Sequence, residues 1–334
     1  MMLTPGAGES SVDLRGASNP PENPAQTTES SDIRLHKPGV AGSSPAAATL
    51  QFSEPIEAYH SDREWWSKSQ LWALRSQGPL YFRGRFLTHS IQSPQSEALA
   101  RGTLVHEWAE QGNEAWWDRV AVVPPEFVGA NGALLKAGQA WRDSLPPDAI
   151  VLKQSEIASY QDQFLQLQQN PVFCQLTEET EHREFSIRGV CPDSGLKIRC
   201  RPDAATEWCL WDLKTTRDQQ PLKTFHKAVH DYGYGFQAAL YLRLARMAGF
   251  SPSQFVFVVS STVPPYECHA VVLPQPYLDQ SDRQVTDTCR DLVSRLALDH
   301  WSSPEAGQLT ELFMPHWTME DNSNATGRSS RWCE

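Results

Sequence analysis

Two aspartates and a lysine lie close together in an otherwise apolar stretch of this sequence. The segment RCRPDAATEWCLWDLKTT, residues 199–216, contains Asp203, Asp212 and Lys214. Charged side chains are costly to bury unless another group pairs with them. A divalent metal ion and a reacting phosphate would pair with all three, whereas a solvated hairpin would need neither. The surrounding elements must decide between these two interpretations.

Strand geometry brings the three side chains together. Side chains two apart in a strand face the same side, so Asp212 and Lys214 project together and Leu213 faces away. The connection from Asp203 to Asp212 is short enough for a hairpin, which would set one carboxylate beside the other. Two close carboxylates repel unless a cation bridges them, and an oxygen-rich site suits Mg²⁺ or Mn²⁺. Lys214 is then placed to activate a water or to steady charge on a phosphate, which indicates phosphodiester hydrolysis.

The flanking sequence predicts elements that could hold this hairpin in place. Its helices come first, then three sequential strands, a long helix that is irregular around Gly233 and Gly235, and two further strands. This order predicts an α/β fold, a mixed sheet with helices on its faces. The predicted helices cover 93–112, 155–171 and 222–250, and the predicted strands cover 182–190, 195–204, 207–216, 254–262 and 266–273.

Two helical motifs add candidate residues. His106 lies in GTLVHEWAE on the first predicted helix, and by itself such a histidine is more often a core or surface residue. Gln237 and Tyr241 in YGYGFQAALYLRL are four apart and share one helical face, a pair that is more often involved in packing.

Taken together and in this order, the motifs resemble a known family. The RecB-like branch of the PD-(D/E)xK nucleases is the family, and within it the chain is most similar to the exonuclease VIII (RecE-type) and lambda-exonuclease-like group. The resemblance spans residues 67–275. It implies a PD-(D/E)xK restriction-endonuclease-like core, a mixed β-sheet flanked by helices. The motifs are Gly102-x-x-x-His106, Arg201-Pro202-Asp203, Asp212-Leu213-Lys214-Thr215-Thr216 and Gln237-x-x-x-Tyr241.

The resemblance also implies roles for individual residues. It implies that Mg²⁺ or Mn²⁺ is bound by Asp203, Asp212 and the backbone carbonyl of Leu213, with His106 as an added ligand. Lys214 would position or activate the attacking water, and Gln237 and Tyr241 would orient Lys214 and the DNA. A further acid often lies upstream in this group. Two residues qualify, each more often an ordinary polar residue: Glu156 and Glu184.

Cysteine usage argues against an iron–sulfur cluster and against disulfides. Some RecB-like nucleases hold a cluster with one cysteine before the histidine motif and three near the end. Here the first of seven cysteines is Cys174, and the C-terminal part has no cysteine cluster. The cysteines also form no CxxC pair, which is typical of a reducing compartment. We therefore expect no iron–sulfur cluster and a cytoplasmic protein of bacterial or phage origin.

The net charge of −11 bears on DNA binding. It argues against broad non-specific binding of nucleic acid, so affinity must rest on local groups. These local groups include Lys197, Arg199, Arg201, Arg217, Lys223 and Lys227. The residues expected to contact DNA at the site are Arg201, Thr215, Thr216, Arg217, Lys223 and Lys227.

Composition divides the chain into three parts. Residues 1–50 are rich in Ser, Pro, Ala and Gly and are expected to be a disordered tail. Within it, residues 36–49 can be back-translated into the T-arm consensus of a tRNA gene, so a tRNA-gene-derived read-through and a plain tail are both open. Residues 60–275 are the expected nuclease domain, and 276–334 a C-terminal helix with a polar tail. No apolar run suggests a membrane span or a signal peptide.

The expected activity is that of a metal-dependent DNA exonuclease acting on double-stranded ends, in recombination or phage-type DNA processing. A single-strand nuclease or endonuclease of the same fold is one alternative. A non-catalytic DNA-end-binding module is another, although the intact Asp203, Asp212 and Lys214 speak against it. By analogy with related exonucleases, a single-strand annealing protein and a ring-shaped homo-oligomer are possible partners.

Overall fold

The central element is a five-stranded mixed sheet with the strand order β11-β10-β9-β8-β5. The computed structural model describes residues 48–51, 54–92, 97–303, 307–309 and 311. In the centre, β9 and β10 run parallel, and the other three strands are antiparallel to their neighbours. The strands are β5 (His182–Arg183), β8 (Ala204–Ala205), β9 (Cys209–Thr216), β10 (Gln254–Ser261) and β11 (Cys268–Val272).

The remaining strands form two smaller sheets. A four-stranded sheet has the order β1-β6-β7-β2, with β2 parallel to β7 and the other pairs antiparallel. A parallel pair, β3 and β4, forms a separate two-stranded sheet. Their strands are β1 (Ala48–Gln51), β2 (Trp66–Ser67), β3 (Val120–Val122), β4 (Ile150–Leu152), β6 (Ser186–Val190) and β7 (Lys197–Cys200).

Helices pack around these sheets, which confirms the predicted mixed α/β architecture. A π-helical turn at Arg83–Leu87 and a 3₁₀ turn at Pro125–Phe127 supplement them. Within the described ranges, no helix combines the length and the apolar character that crossing a membrane requires. The helices are α1 (Ile56–Ser61), α2 (Lys68–Gln77), α3 (Pro79–Phe82), α4 (Glu97–Gln111), α5 (Asn113–Asp118), α6 (Lys136–Asp143), α7 (Gln154–Gln169), α8 (Pro171–Glu178), α9 (Pro221–Asp231), α10 (Tyr234–Met247) and α11 (Gln275–Leu298).

The alternation of β9 explains how charged residues enter its buried surface. Trp211 and Leu213 pack into one apolar cluster with residues of α4, α7 and α8. Leu210 packs into the other cluster with residues of α9, α10 and α11. Because alternate side chains share a face, Asp212 follows Leu210 toward the α10 side, where an apolar residue would otherwise complete the core.

The strand predicted over residues 182–190 is wrong, because the chain breaks at Glu184. Glu184 has a φ of 47°, in the left-handed region that interrupts an extended strand. Its N–H donates to the carbonyl of Asp203 at 2.9 Å. Consequently β5 joins the five-stranded sheet and β6 joins the four-stranded sheet.

The irregularity predicted near Gly233 is confirmed as a break between α9 and α10. Gly233 has a φ of 64°, and a Cβ placed on it would lie 2.3 Å from the Trp72 ring. Only glycine fits both the left-handed backbone and the close approach of α2.

The predicted domain boundaries need correction at both ends. Ala48, Thr49 and Leu50 were assigned to the tail, but they form β1 and pair with β6. The tail up to residue 47, with most of the tRNA-like stretch, lies outside the described residues. At the other end, α11 buries Val285 and Leu292 in the same core as α10, so it belongs to the domain that was predicted to end at 275.

Candidate active site

The β8–β9 hairpin sets Asp203 opposite Asp212. Ala204 pairs with Trp211 in the antiparallel register, so the next residues outward are the two aspartates. The predicted short connection therefore brings the two carboxylates together. Asp212 is buried, with its side chain 3% exposed, whereas Asp203 is partly buried, with its side chain 21% exposed.

Asp203 is held by one backbone and one side-chain partner. Its Oδ2 accepts a hydrogen bond from the Leu213 N–H at 2.8 Å and lies 3.2 Å from Nδ1 of His106. Burial alone raises the pKa of Asp203, but His106 and Lys214 outweigh it, and the pKa falls below its usual value. Asp203 in turn outweighs burial at His106 and raises the pKa of that imidazole. Asp203 and His106 thus each stabilise the charged form of the other.

The pKa of Asp212 is shifted in the opposite direction. Burial, followed by the charge of Asp203, raises the pKa of its carboxyl. Its Oδ1 accepts a hydrogen bond from Nε2 of Gln237 at 2.9 Å, and its Oδ2 contacts the ammonium of Lys214. Burial disfavours the Lys214 ammonium, but Asp212 and Asp203 outweigh it and raise the pKa of Lys214. Lys214 is therefore a protonated counter-ion to a carboxylate pair.

Helix α4 delivers His106 because it packs closely on β9. Gly102, one turn earlier, faces Thr215, and a Cβ at Gly102 would lie 3.1 Å from the Thr215 hydroxyl. The Gly-x-x-x-His spacing thus combines a close helix–strand contact with a histidine on the neighbouring turn.

His106, Asp203 and Asp212 offer donor atoms that suit a hard divalent ion. The described side-chain contacts of Asp203 all involve Oδ2, and the two carboxylates oppose each other across the hairpin. Across the described part of the chain, no three His, Cys, Asp or Glu side chains are already arranged as a metal site. The Lys214 ammonium is the cation that contacts Asp212 here. The donor set fits Mg²⁺ or Mn²⁺, provided that the metal displaces this contact.

The two residues of the Gln237-x-x-x-Tyr241 motif have different surroundings. Gln237 donates to Asp212, which in turn contacts Lys214, so any influence of Gln237 on the orientation of Lys214 passes through that carboxylate. Tyr241 is buried in the core, and its ring meets that of Phe255 edge-on at 5.8 Å. Its contacts are those of a packing residue, which does not match the expected role in orienting Lys214 and DNA.

The two proposed extra acids lie in different places. Glu156 caps its own helix, since its carboxylate accepts the N–H of Lys153 at 2.8 Å, and it is not part of the aspartate cluster. Glu184 is close to the cluster, and burial together with Asp203 raises its pKa to about 7. It is bonded to Nε of Arg201 at 2.9 Å. Glu184 is therefore the better placed of the two.

The predicted DNA contacts divide by exposure. Arg201 is turned inward, where it bonds Glu184, Ser186 and the Glu54 carbonyl, so its expected DNA contact is wrong in this arrangement. Thr215 faces Gly102, and the Thr216 hydroxyl accepts from the Asp218 N–H at 3.2 Å. The three remaining side chains are exposed at the end of β9 and along α9, and they stay candidates: Arg217, Lys223 and Lys227.

Sequence patterns missed a second lysine beside the site. Lys68, the first residue of α2, donates to the carbonyl of Tyr232 at 2.6 Å. Its ammonium lies 5.6 Å from the centre of the Tyr234 ring, and that of Lys214 lies 5.1 Å from the same ring. Burial, followed by the charge of Lys214, lowers the pKa of Lys68 to about 7. Lys68 lies so far upstream of the hairpin in the sequence that no motif spacing connects the two.

A buried polar chain behind Thr215 was also missed. Arg101 donates to Oε1 of Gln163 at 2.8 Å, and Gln163 donates to the Ser260 hydroxyl at 2.9 Å. Ser260 lies opposite Thr215 in the β9–β10 register. This chain links α4 and α7 to the strand that carries Asp212 and Lys214, and so supports the position of that strand.

Comparisons with known proteins agree with the fold. The sequence model of a family described as "PDDEXK-like domain of unknown function (DUF3799)" matches residues 84–309. A crystal structure from Eubacterium rectale, described as a "Putative exonuclease", is similar with a TM-score of 0.54 and 15% identity, over 79% of this chain and 95% of that chain. At this identity the likeness shows the fold alone. The search among curated proteins found no match.

Proposed function

Because the chain belongs to the family of PDDEXK-like domains of unknown function, and with it to the PD-(D/E)xK nuclease superfamily, we propose that it is a metal-dependent DNA exonuclease. It acts on double-stranded ends, in recombination or phage-type DNA processing. One observation carries the proposal. Asp203 and Asp212 oppose each other across one hairpin, with His106 and Lys214 in contact with them.

The residues that would hold Mg²⁺ or Mn²⁺ are His106, Asp203 and Asp212. When bound there, the ion would act as a Lewis acid toward a phosphoryl oxygen and make water a better nucleophile. The same cation would relieve the conflict between the two carboxylates that raises the pKa of Asp212.

Lys214 acts as a charged donor rather than as a base. Its raised pKa keeps the ammonium protonated at neutral pH, so it cannot accept a proton from water. The ammonium instead orients the water by hydrogen bonding and stabilises the negative charge that grows on the phosphate. Gln237 positions Asp212 from the opposite side through the bond to its Oδ1.

Exposed basic residues beside the site supply local affinity for DNA. Arg217 follows β9 directly, and Lys223 and Lys227 lie four apart on the exposed face of α9. Their charge attracts the phosphate backbone without base specificity, against the overall charge of −11.

The test is digestion of end-labelled linear, nicked and closed circular duplex with and without Mg²⁺. We expect linear duplex to be degraded from its ends only with Mg²⁺ and closed circles to stay intact. Asp203→Asn and Asp212→Asn should abolish cleavage while DNA-end binding persists or improves, because fewer negative charges then face the phosphates. Asp291→Asn, in an exposed ion pair with Arg295 on α11, is the matched control and should cleave like the wild type.

Each of the other outcomes would indicate a different activity. Cutting of closed circles would indicate an endonuclease, and cutting of single strands alone would indicate a single-strand nuclease. Binding of ends without cleavage in any metal would indicate a DNA-end-binding module. Retained turnover in Asp203→Asn or Asp212→Asn would show that the active site lies elsewhere.

A further inference from the structure

An exposed tyrosine stands at the rim of the aspartate–lysine site. Tyr232 is 61% exposed and caps the C-terminal end of α9. Its ring centre lies 5.8 Å from that of Tyr234, whose ring is contacted by the ammonium of Lys214. A continuous path of aromatic surface therefore runs from solvent to the proposed catalytic lysine.

The backbone under Tyr232 is clamped to α2. Lys68 donates to the carbonyl of Tyr232 at 2.6 Å, and Nε1 of Trp72 donates to the carbonyl of Asp231 at 3.3 Å. Gly233 follows in a left-handed conformation against the Trp72 ring. An exposed ring on a backbone held this way loses little conformational freedom when a ligand stacks on it.

Lys68 adds a second amine without a carboxylate partner at the same place, and its pKa of about 7 leaves it partly protonated near neutral pH. Throughout the described ranges, no carboxylate forms an ion pair with its ammonium, whereas Lys214 is paired with Asp212 and Lys197 with Glu64. The described contacts of the Lys68 ammonium are one carbonyl and one ring. An ammonium in this position is suited to a phosphate of the substrate.

We propose that Tyr232 and Lys68 form a subsite for the nucleotide next to the scissile phosphate, in which the Tyr232 ring stacks on its base and the Lys68 ammonium binds its phosphate. This inference rests on the proposed nuclease function. A base can stack on Tyr232 only after it leaves its neighbours in the duplex. The substrate class at this position is therefore an unpaired DNA strand, as at a frayed or single-stranded end.

The experiment measures binding, so that it does not depend on turnover. In the Asp212→Asn background, fluorescence anisotropy compares labelled oligo(dT) with an oligomer of the same length made of abasic nucleotides. We expect Tyr232→Ala to weaken binding of oligo(dT) by about tenfold to a hundredfold and to leave the abasic oligomer unaffected. Tyr232→Phe should keep the preference for oligo(dT), because the stacking ring is retained.

Lys68→Met separates the phosphate contact from the stacking contact. This substitution should weaken the binding of both oligomers equally. It should also reduce the salt dependence of binding by about one phosphate contact. Equal affinity of Tyr232→Ala and its parent for oligo(dT), or an equal loss for the abasic oligomer, would overturn the stacking subsite. Wild-type protein that binds but never cleaves would refute the nuclease proposal and leave this binding result standing on its own.

Discussion

The two larger sheets bury charge in opposite ways. In the four-stranded sheet, Arg188 and Arg199 lie opposite each other across β6 and β7. Arg188 is paired with Glu54 and Asp62, and Arg199 donates to the carbonyl of Tyr59. In the five-stranded sheet, Asp203 contacts His106 and Asp212 contacts the ammonium of Lys214.

The difference distinguishes a structural charge cluster from a candidate functional one. Arginine stays charged at every accessible pH, and two carboxylates neutralise Arg188, so the first arrangement is permanent. In the second arrangement the pKa of Asp203 falls and that of Asp212 rises, so the pair is not satisfied by its own neighbours. Such opposed shifts are typical of functional sites.

Among substitutions that leave both aspartates in place, removing the lysine should have the largest effect on activity. Lys214→Ala should slow single-turnover cleavage of a labelled duplex by roughly 10²–10⁴, about 3–5 kcal/mol of transition-state stabilisation. Lys214→Arg should recover little, because a planar guanidinium does not replace a compact ammonium. The assay is run across a Mg²⁺ titration. A variant that reaches the wild-type rate at saturating Mg²⁺ would make Lys214 a structural counter-ion, like the arginines.

Removing a buried arginine should instead cost stability. Arg188→Met should lower the free energy of unfolding by about 3–5 kcal/mol, since Glu54 is left buried without its partner. Chemical denaturation measures this change. Arg290→Met, which breaks an exposed ion pair with Asp193, is the control and should cost under about 1 kcal/mol. Equal effects of the two substitutions would contradict the permanent role assigned to Arg188.

The edge strand of the four-stranded sheet gives an intermediate effect. A chain that begins at Glu54 lacks β1 and should lose about 2 kcal/mol of stability relative to a chain that begins at Ala48, because the β1–β6 hydrogen bonds are lost. Thermal unfolding of the two truncations checks this. Identical melting temperatures would show that β1 contributes nothing to stability, as expected if residues 1–50 are a disordered tail.

Gln237→Ala should have a smaller effect than Lys214→Ala. It removes the hydrogen bond to Asp212 and leaves the lysine in place, so we expect a loss of roughly tenfold in rate, about 1–1.5 kcal/mol. Single-turnover kinetics in parallel with Lys214→Ala give the ratio. A loss as large as that of Lys214→Ala would assign Gln237 a direct role toward the substrate.

Glu184 should produce the smallest effect, and one that depends on pH. Its pKa is raised from 4.5 to about 7, so ionisation of this carboxyl opposes folding. In metal-free buffer, its contribution should therefore reduce stability as pH rises from 4.5 to 7, and no further above that. Glu184→Gln should be more stable than wild type by about 1 kcal/mol at pH 8, after allowance for solvent screening, and equal to it near pH 4. Denaturant unfolding at several pH values measures the difference in stability between the two proteins. A difference that does not change with pH would exclude titration of Glu184 as its cause.

The hairpin could be predicted from the sequence, but the contacts around it could not. Alternation and a short connection were enough to bring Asp203 and Asp212 together, and Gly102 with His106 marked the helix beside them. The break at Glu184 could not be predicted, since its left-handed backbone depends on the bond to the Asp203 carbonyl rather than on local pattern. Lys68 and the inward turn of Arg201 depend on contacts with distant segments, which periodicity does not encode.

The long-range contact between Lys68 and Tyr232 also has a consequence during synthesis. The two residues are 164 positions apart, and the bond from Gln163 to Ser260 spans 97. Contacts of this kind form late, since chain segments must close large loops before they gain any stabilising interaction. A nascent chain on the ribosome therefore holds no assembled site until most of it has emerged. For a proposed DNA-cutting enzyme, this order would make cleavage conditional on synthesis of most of the chain.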